Sequence, residues 1–256
     1  MIDSSFKNKQ AWEYKVYEWR TKAQGKPSDV AKKIKKSPKE FLRFHAEYFE
    51  NIKNEKIANI CGSDGRRAVA LALLGAKTTV FDISEPQKQY ALELAYEAGV
   101  KISYELGDFN EVDKSKYAEY FDKLYCEGGI LHYFHDLDLF FRNCFDILRI
   151  NGIFVLSDFH PFQKGISVEK PVRNVEMTQG NYFDKEIHEG HVPYAKYFTE
   201  DIRAQFPTCK LRFYTVSDII NTAIKNGFQV EGFYEHPKYN NDKIPGEFTL
   251  ILNKKI

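Results

Sequence analysis

Between residues 9 and 23, apolar side chains recur at four- and three-residue steps through Trp12, Val16, Trp19 and Ala23, which predicts a helix with one apolar face. Ser37-Pro38-Lys39-Glu40 then offers a cap, a proline at the first helical position and a capping-box Glu ahead of Phe41, Phe44, Tyr48, Phe49 and Ile52. That pattern predicts a second N-terminal helix. From Ile57 the texture changes to strands alternating with helices, the signature of a parallel sheet covered on both faces. Five strands are expected first, at 57–61, 78–82, 102–106, 121–126 and 153–157. Most are continuous apolar runs, as buried parallel strands require, whereas 102–106 alternates with polar residues and reads as an edge strand. Ser84-Glu85-Pro86-Gln87 opens a helix that Gly99 closes, and Leu137, Phe140, Phe141, Cys144, Phe145 and Leu148 step along one helical face.

The alternation stops after Ser157 and resumes at Thr215-Val216-Ser217-Asp218, a capped helix start that runs to Gly227. An outer strand through Phe228, Val230 and Tyr234 and an inner strand from Phe248 to Leu252 follow, joined by a turn-rich stretch near 237–246. The chain therefore divides into an N-terminal helical cap (1–55), a core (56–158 plus 215–256) and an insertion (159–214) too long for an ordinary loop. The insertion is rich in rings: Phe162, Tyr182, Phe183, Tyr194, Tyr197 and Phe198.

With 43% apolar and 29% charged residues, the composition is that of a soluble globular protein, and no apolar run reaches membrane-spanning length. The first ten residues are polar, so a cytoplasmic protein is expected. Cys61, Cys126, Cys144 and Cys209 lie far apart with no CxxC pair, which removes the usual zinc and disulfide frameworks. Lys plus Arg is 37 against 36 Asp plus Glu, so no overall charge attracts a polyanion, and no nucleic-acid partner is expected. The cluster Lys32, Lys33, Lys35 and Lys36 reads as a solvated helical face.

In an open α/β sheet, ligands bind beyond the carboxyl ends of the strands. The first strand runs into Cys61-Gly62-Ser63-Asp64-Gly65-Arg66, a turn of small residues leading to a helix N-terminus. The second ends at Asp82, where a carboxylate can accept both hydroxyl hydrogens of a ribose. The third ends at Gly107-Asp108-Phe109 and the fourth at Glu127-Gly128-Gly129. A lone acid at a strand tip is usually a turn former. Three at successive tips point to a ligand.

These motifs resemble those of the class I S-adenosylmethionine-dependent methyltransferases, particularly the bacterial small-molecule branch related to quinone-biosynthesis methyltransferases. The resemblance spans 56–162. It is carried by Asn59-Ile60-Cys61-Gly62-Ser63-Asp64-Gly65, by Gly75-Ala76-Lys77 leading to Phe81-Asp82-Ile83-Ser84, by Gly107-Asp108-Phe109, and by the run from Glu127 to Asp136. It implies a Rossmann-like, doubly wound seven-stranded sheet with its last strand antiparallel, N-terminal helices and an inserted cap. It also implies S-adenosylmethionine as cofactor, with Asp82 on the ribose, Asp108 and Phe109 at the adenine, the turn around Gly62 together with Glu127, Gly128 and Gly129 around the methionine moiety, and Asn59, Cys61, Ser63, Gly65 and Ile83 also among the cofactor-binding residues. The family usually carries an acid at the position of Asn59 and glycines at those of Cys61 and Ser63. A dinucleotide needs three close glycines for its pyrophosphate, so these departures weigh more against a nicotinamide cofactor.

Methyl transfer to a small-molecule acceptor is the expected reaction, with alignment supplying much of the rate. His132, His135 and His160 lie just past the fourth and fifth strands; His132 and His160 are the candidate bases, and Asp158 the group to orient either one. His188-Glu189-Gly190-His191 has a metal-compatible spacing, but Gly190 and Pro193 work against a regular helix and no third ligand is signalled, so no metal is expected. An RNA or DNA methyltransferase is a rival reading. It is weakened by Glu127-Gly128-Gly129 standing where base-amino methylases carry Asn or Asp before Pro-Pro and an aromatic. A binding partner that keeps the cofactor pocket without catalysis is the other rival.

Overall fold

The structure is a computed structural model that describes residues 3–165 and 180–255. Part of the ring-rich insertion, residues 166–179, lies outside the described residues. Three helices come first: α1 (Asp3–Glu13), α2 (Val16–Gln24) and α3 (Pro27–Lys36). The apolar runs then form β1 (Lys56–Ile60), β2 (Lys77–Asp82), β3 (Ser103–Leu106), β4 (Phe121–Glu127) and β5 (Leu148–Phe159), all mutually parallel, with α4 (Arg66–Leu73) and α5 (Glu85–Ala98) crossing between the first three. The insertion contributes an antiparallel pair that the sequence pattern did not announce, β6 (Ile187–Gly190) with β7 (Cys209–Arg212). β8 (Gln229–Lys238) and β9 (Asn241–Asn253) complete the main sheet in the order β3-β2-β1-β4-β5-β9-β8. The seven-stranded doubly wound fold is as expected, and its last strand is antiparallel to both neighbours.

Period-two alternation decides which core each strand residue joins. On β5, Phe154 and Leu156 face a core shared with Leu124, Phe140 and Phe141, whereas Val155 between them faces Tyr125, Leu94 and Ile34 on the opposite side. The helices Leu137–Ile147 and Val216–Lys225 cover the first side, and α3, α4 and α5 cover the second. Each fully buried Leu, Ile or Phe contributes roughly 1.5–3 kcal/mol, so these two layers hold the sheet rigid beneath its strand tips. On α3, Val30, Ala31 and Ile34 are buried while Lys32, Lys33, Lys35 and Lys36 are exposed, the solvated face expected of that run.

Three local expectations are corrected. The single helix over 9–23 is two, because Lys15 adopts φ 53° and breaks the ladder. The Tyr194 hydroxyl lies 3.0 Å from the Ala11 carbonyl and 2.8 Å from the Tyr14 carbonyl, so its single proton is shared between acceptors at that break. The segment Pro38–Phe49 is a 3-10 run rather than an α-helix, kinked where Arg43 takes φ 55°. Finally, the turn-rich stretch near 237–246 is mostly strand, since Pro237 pairs with Pro245 and Lys238 with Asn241, with register shifts absorbing the prolines. The Thr215 capping box forms as its sequence requires.

Candidate active site

Chain order reverses on either side of β1, and there the tips of β1 to β5 enclose a cavity of about 380 Å3. Its floor is the turn after β1. Cys61 (φ 50°) and Ser63 (φ 51°) both sit in the left-handed region that favours glycine. They occupy the two positions where the sequence departs from the family's glycines. Surrounding bonds hold the turn: Ser63 N–H donates to Asp82 Oδ2 (2.9 Å), the Tyr104 hydroxyl donates to the Ser63 carbonyl (2.9 Å), and Arg20 Nη2 donates to Ser63 Oγ (2.7 Å). Gly62 is required by close approach, since a Cβ there would lie 2.5 Å from Asn59 Oδ1.

Four carboxylates line this cavity at the strand tips, and the protein treats them in two ways. Burial alone would push the Asp64 carboxyl up, but Arg20 Nη1 at 3.1 Å and Arg66 Nε at 2.8 Å hold it below the usual carboxylate range. Glu127 behaves alike: burial opposes ionisation, yet Arg67 (Nε 2.6 Å, Nη2 3.1 Å) and Arg43 (3.0 Å) keep its carboxyl low. Arg43 also reaches Glu247 at 2.9 Å. Among the described residues Asp82 and Asp108 have no cation within ion-pair distance. Burial pushes Asp82 up to about 6, opposed by the backbone N–H groups of Ser84 and Ser63 and by the more distant Arg20. Asp108 accepts from Asn110 N–H through Oδ1 (2.9 Å), while its buried Oδ2 has no partner among the described residues.

Asn59, Cys61, Gly62, Ser63, Asp82, Ile83, Asp108, Phe109, Glu127, Gly128 and Gly129 all line the cavity. Gly65 does not: at φ 71° it turns away, and a Cβ on it would meet Ala91 of α5 at 2.6 Å, so it serves helix packing. His132 and His160 line a second cavity of about 650 Å3, which meets the first at Phe159 and Glu247. Both nitrogens of His160 face neighbours, Nδ1 accepting from Phe162 N–H (3.2 Å) and Nε2 lying 3.0 Å from Glu235. Asp158 orients neither histidine. Its Oδ2 accepts from Ile130 N–H (3.0 Å) and Leu131 N–H (2.7 Å), shaping the β4 exit instead, and burial pushes this carboxyl up to about 6. His135 meets the Lys210 carbonyl, and His188 meets Asp184 at 2.9 Å on β6. Among the described residues no cluster of three metal-ligating side chains occurs.

Sequence reasoning missed the residues that close the cavity from outside the core. Ser5, Asn8 and Trp12 of α1, Arg20 of α2, Arg43 and Glu247 all line it. Trp12 alone carried a signal, as part of the aromatic N-terminal face. Asn8 pairs with the β7 backbone, accepting from Lys210 N–H (2.7 Å) and donating to its carbonyl (3.2 Å). Trp19 stacks on Tyr194 at 4.9 Å, and Ala11, Val16, Tyr194 and Phe206 share a third small core. The N-terminal helices and the insertion are thereby joined over the strand tips.

A family model for a methyltransferase domain matches residues 53–203, more than half of the chain, and the chain belongs to that family. This agrees with the resemblance carried by the strand-tip motifs. A solved structure from Listeria monocytogenes, proposed to be an S-adenosylmethionine-dependent methyltransferase, superposes with a TM-score of 0.62 at 16% identity, covering 82% of this chain and 97% of that one. An S-adenosylmethionine-dependent methyltransferase from Mesorhizobium loti gives 0.60 at 18% identity, covering 81% and 94%. The [4+2]-cyclase SpnF gives 0.57 at 13% identity, covering 85% and 82%, so at these identities the likeness speaks for the fold. No curated protein matches the chain significantly. Among the described residues no helix is long and apolar enough to cross a membrane.

Proposed function

We propose that the first cavity binds S-adenosylmethionine and that the protein transfers its methyl group to a small organic acceptor. The observation that carries this reading is the division of charge. Asp64, Glu127 and Glu247 each have an arginine within 3.1 Å, whereas Asp82 and Asp108, on neighbouring strand tips, are left for a ligand. A nucleoside fits that pair. Asp82 is already pinned by two backbone N–H groups through different oxygens, and each oxygen keeps a lone pair for a ribose hydroxyl. The orphan Oδ2 of Asp108 suits the exocyclic amino group of adenine, beside the ring of Phe109. The Gly128-Gly129 exit, with φ 102° and 73°, leaves room for the amino-acid end next to Glu127.

When bound, the sulfonium supplies an electrophilic methyl carbon. The chain's own residues then hold the nucleoside, align the acceptor and exclude water, the last through Trp12 and Asn8 on α1. We take residues 1–55 and 159–214 as the cap and 56–158 plus 215–256 as the core. This covered cavity supports the small-molecule branch, to which the quinone-biosynthesis enzymes belong. The test is calorimetric titration with S-adenosylhomocysteine, followed by its release from S-adenosylmethionine over an acceptor panel. A folded protein that gives no binding heat would refute the cofactor assignment.

A further inference from the structure

Ser63 holds a backbone conformation that favours glycine. Its φ of 51° lies in the left-handed region, where a Cβ crowds the following carbonyl oxygen. Three bonds oppose that strain: its N–H donates to Asp82 Oδ2 (2.9 Å), its carbonyl accepts from the Tyr104 hydroxyl (2.9 Å), and its own hydroxyl accepts from Arg20 Nη2 (2.7 Å). The first two are made by the backbone once it has turned. The third grips the side chain from α2, outside the sheet.

Arg20 is placed to hold the protein. It is 7% exposed, and each of its nitrogens has a protein partner: Nε meets Gln87 on α5 (3.3 Å), Nη1 meets Asp64 (3.1 Å) and Nη2 meets Ser63. Its guanidinium lies 4.6 Å from the ring of Trp19, which stacks on Tyr194 of the insertion, so the cap seats the clamp. Position 20 falls outside residues 53–203, the span that matches the methyltransferase family, whereas the turn it grips falls inside. Resting on the reading of Asp82 as the ribose acceptor, we propose that Arg20 is a positioning residue for the cofactor: its grip on Ser63 Oγ keeps the turn left-handed, and the Ser63 N–H then fixes the Asp82 carboxylate for the ribose. A glycine at this position would hold the turn unaided. Here the cap supplies what the residue type does not.

The experiment measures S-adenosylhomocysteine affinity by calorimetry for the wild type, Arg20→Ala, Ser63→Ala, Ser63→Gly and the double variant Arg20→Ala/Ser63→Gly, each at a temperature where thermal unfolding shows it folded. Arg20→Ala should weaken binding about 5- to 30-fold, the cost of an unsupported left-handed residue. Ser63→Ala, which loses the hydroxyl but keeps the Cβ, should weaken it by a similar factor. Ser63→Gly loses the same hydroxyl yet should bind about 5- to 30-fold tighter than Ser63→Ala. Adding Arg20→Ala to Ser63→Gly should change affinity by less than about twofold while still lowering thermal stability, because the Asp64 and Gln87 contacts are lost in either background. If Arg20→Ala does not fold, the contrast between the two Ser63 variants decides. Undiminished affinity in Arg20→Ala, equal affinity of Ser63→Ala and Ser63→Gly, or an Arg20→Ala loss that persists in full in the Ser63→Gly background overturns the inference while the cofactor reading stands. Failure of S-adenosylhomocysteine to bind the wild type overturns both.

Discussion

Asp108→Asn isolates the ligand-facing half of one carboxylate. Oδ1 accepts from Asn110 N–H and caps the short turn Phe109–Glu111, a bond the asparagine oxygen keeps. At the second position an acceptor becomes a donor, and that is the atom without a partner among the described residues. If Oδ2 receives the adenine amino group, the exchange removes a hydrogen bond to a charged acceptor, worth about 1.5–3 kcal/mol, and sets two donors against each other. Affinity for S-adenosylhomocysteine should fall about 10- to 150-fold. Thermal stability should stay within about 0.5 kcal/mol, because no folded-state partner is lost. Calorimetry measures the first quantity and thermal unfolding of the unliganded protein the second. Undiminished affinity, or a loss of affinity matched by a comparable loss of stability, would show that Asp108 only builds its turn.

Arg20→Ala should destabilise the protein by about 2–3 kcal/mol, below the full cost of breaking a buried pair because Arg66 still faces Asp64; an unfolding midpoint within a degree of wild type would contradict the role given to that guanidinium. Gly129→Ala imposes both a left-handed alanine and a collision with Phe159, and is expected to cost about 1–2 kcal/mol, detectable by chemical denaturation; a neutral result would mean that the ring moves freely. Asp158 titrates near 6 in the folded chain and near 3.8 when unfolded, so between those values the folded state retains a proton that the unfolded state has released. Its contribution to stability is therefore largest in acid and declines as pH rises, by up to about 3 kcal/mol across that window. Relative to Asp158→Asn, the wild type should lose ground from pH 4 to 7, and a pH-independent difference in denaturation midpoint would refute the buried-charge account. His45 acts with the opposite sign: burial between Tyr125 and Thr249 lowers its pKa to about 4, so its stabilising effect fades as pH falls below 6.5.

The sheet and its acidic tips were legible because both are written locally: apolar runs of strand length, each followed within a residue or two by Asp82, Asp108 or Glu127. The break at Lys15 was not, because the apolar spacing continues across it and the acceptors it leaves are met by Tyr194, 183 and 180 positions away. Arg20, Arg43 and Arg67 were invisible for the same reason. A surface arginine and a buried one look alike in sequence, and their partners Asp64 and Glu127 lie 44, 84 and 60 positions on. The left-handed Cys61 and Ser63 were seen only as missing glycines; the bonds that keep such residues in that conformation come from β2, β3 and α2.

The placement of β9 has a bearing on how the protein is made. Since β9 sits between β5 and β8, the two neighbours stand apart until residues 241–253 have left the ribosome, and β8 emerges with no sheet to join. During that interval the flank of β5, with Phe154 and Leu156, is an open template for a foreign strand. Nascent chains stalled before Asn241 should thus be the species that chaperones bind and that aggregate when synthesis is slowed.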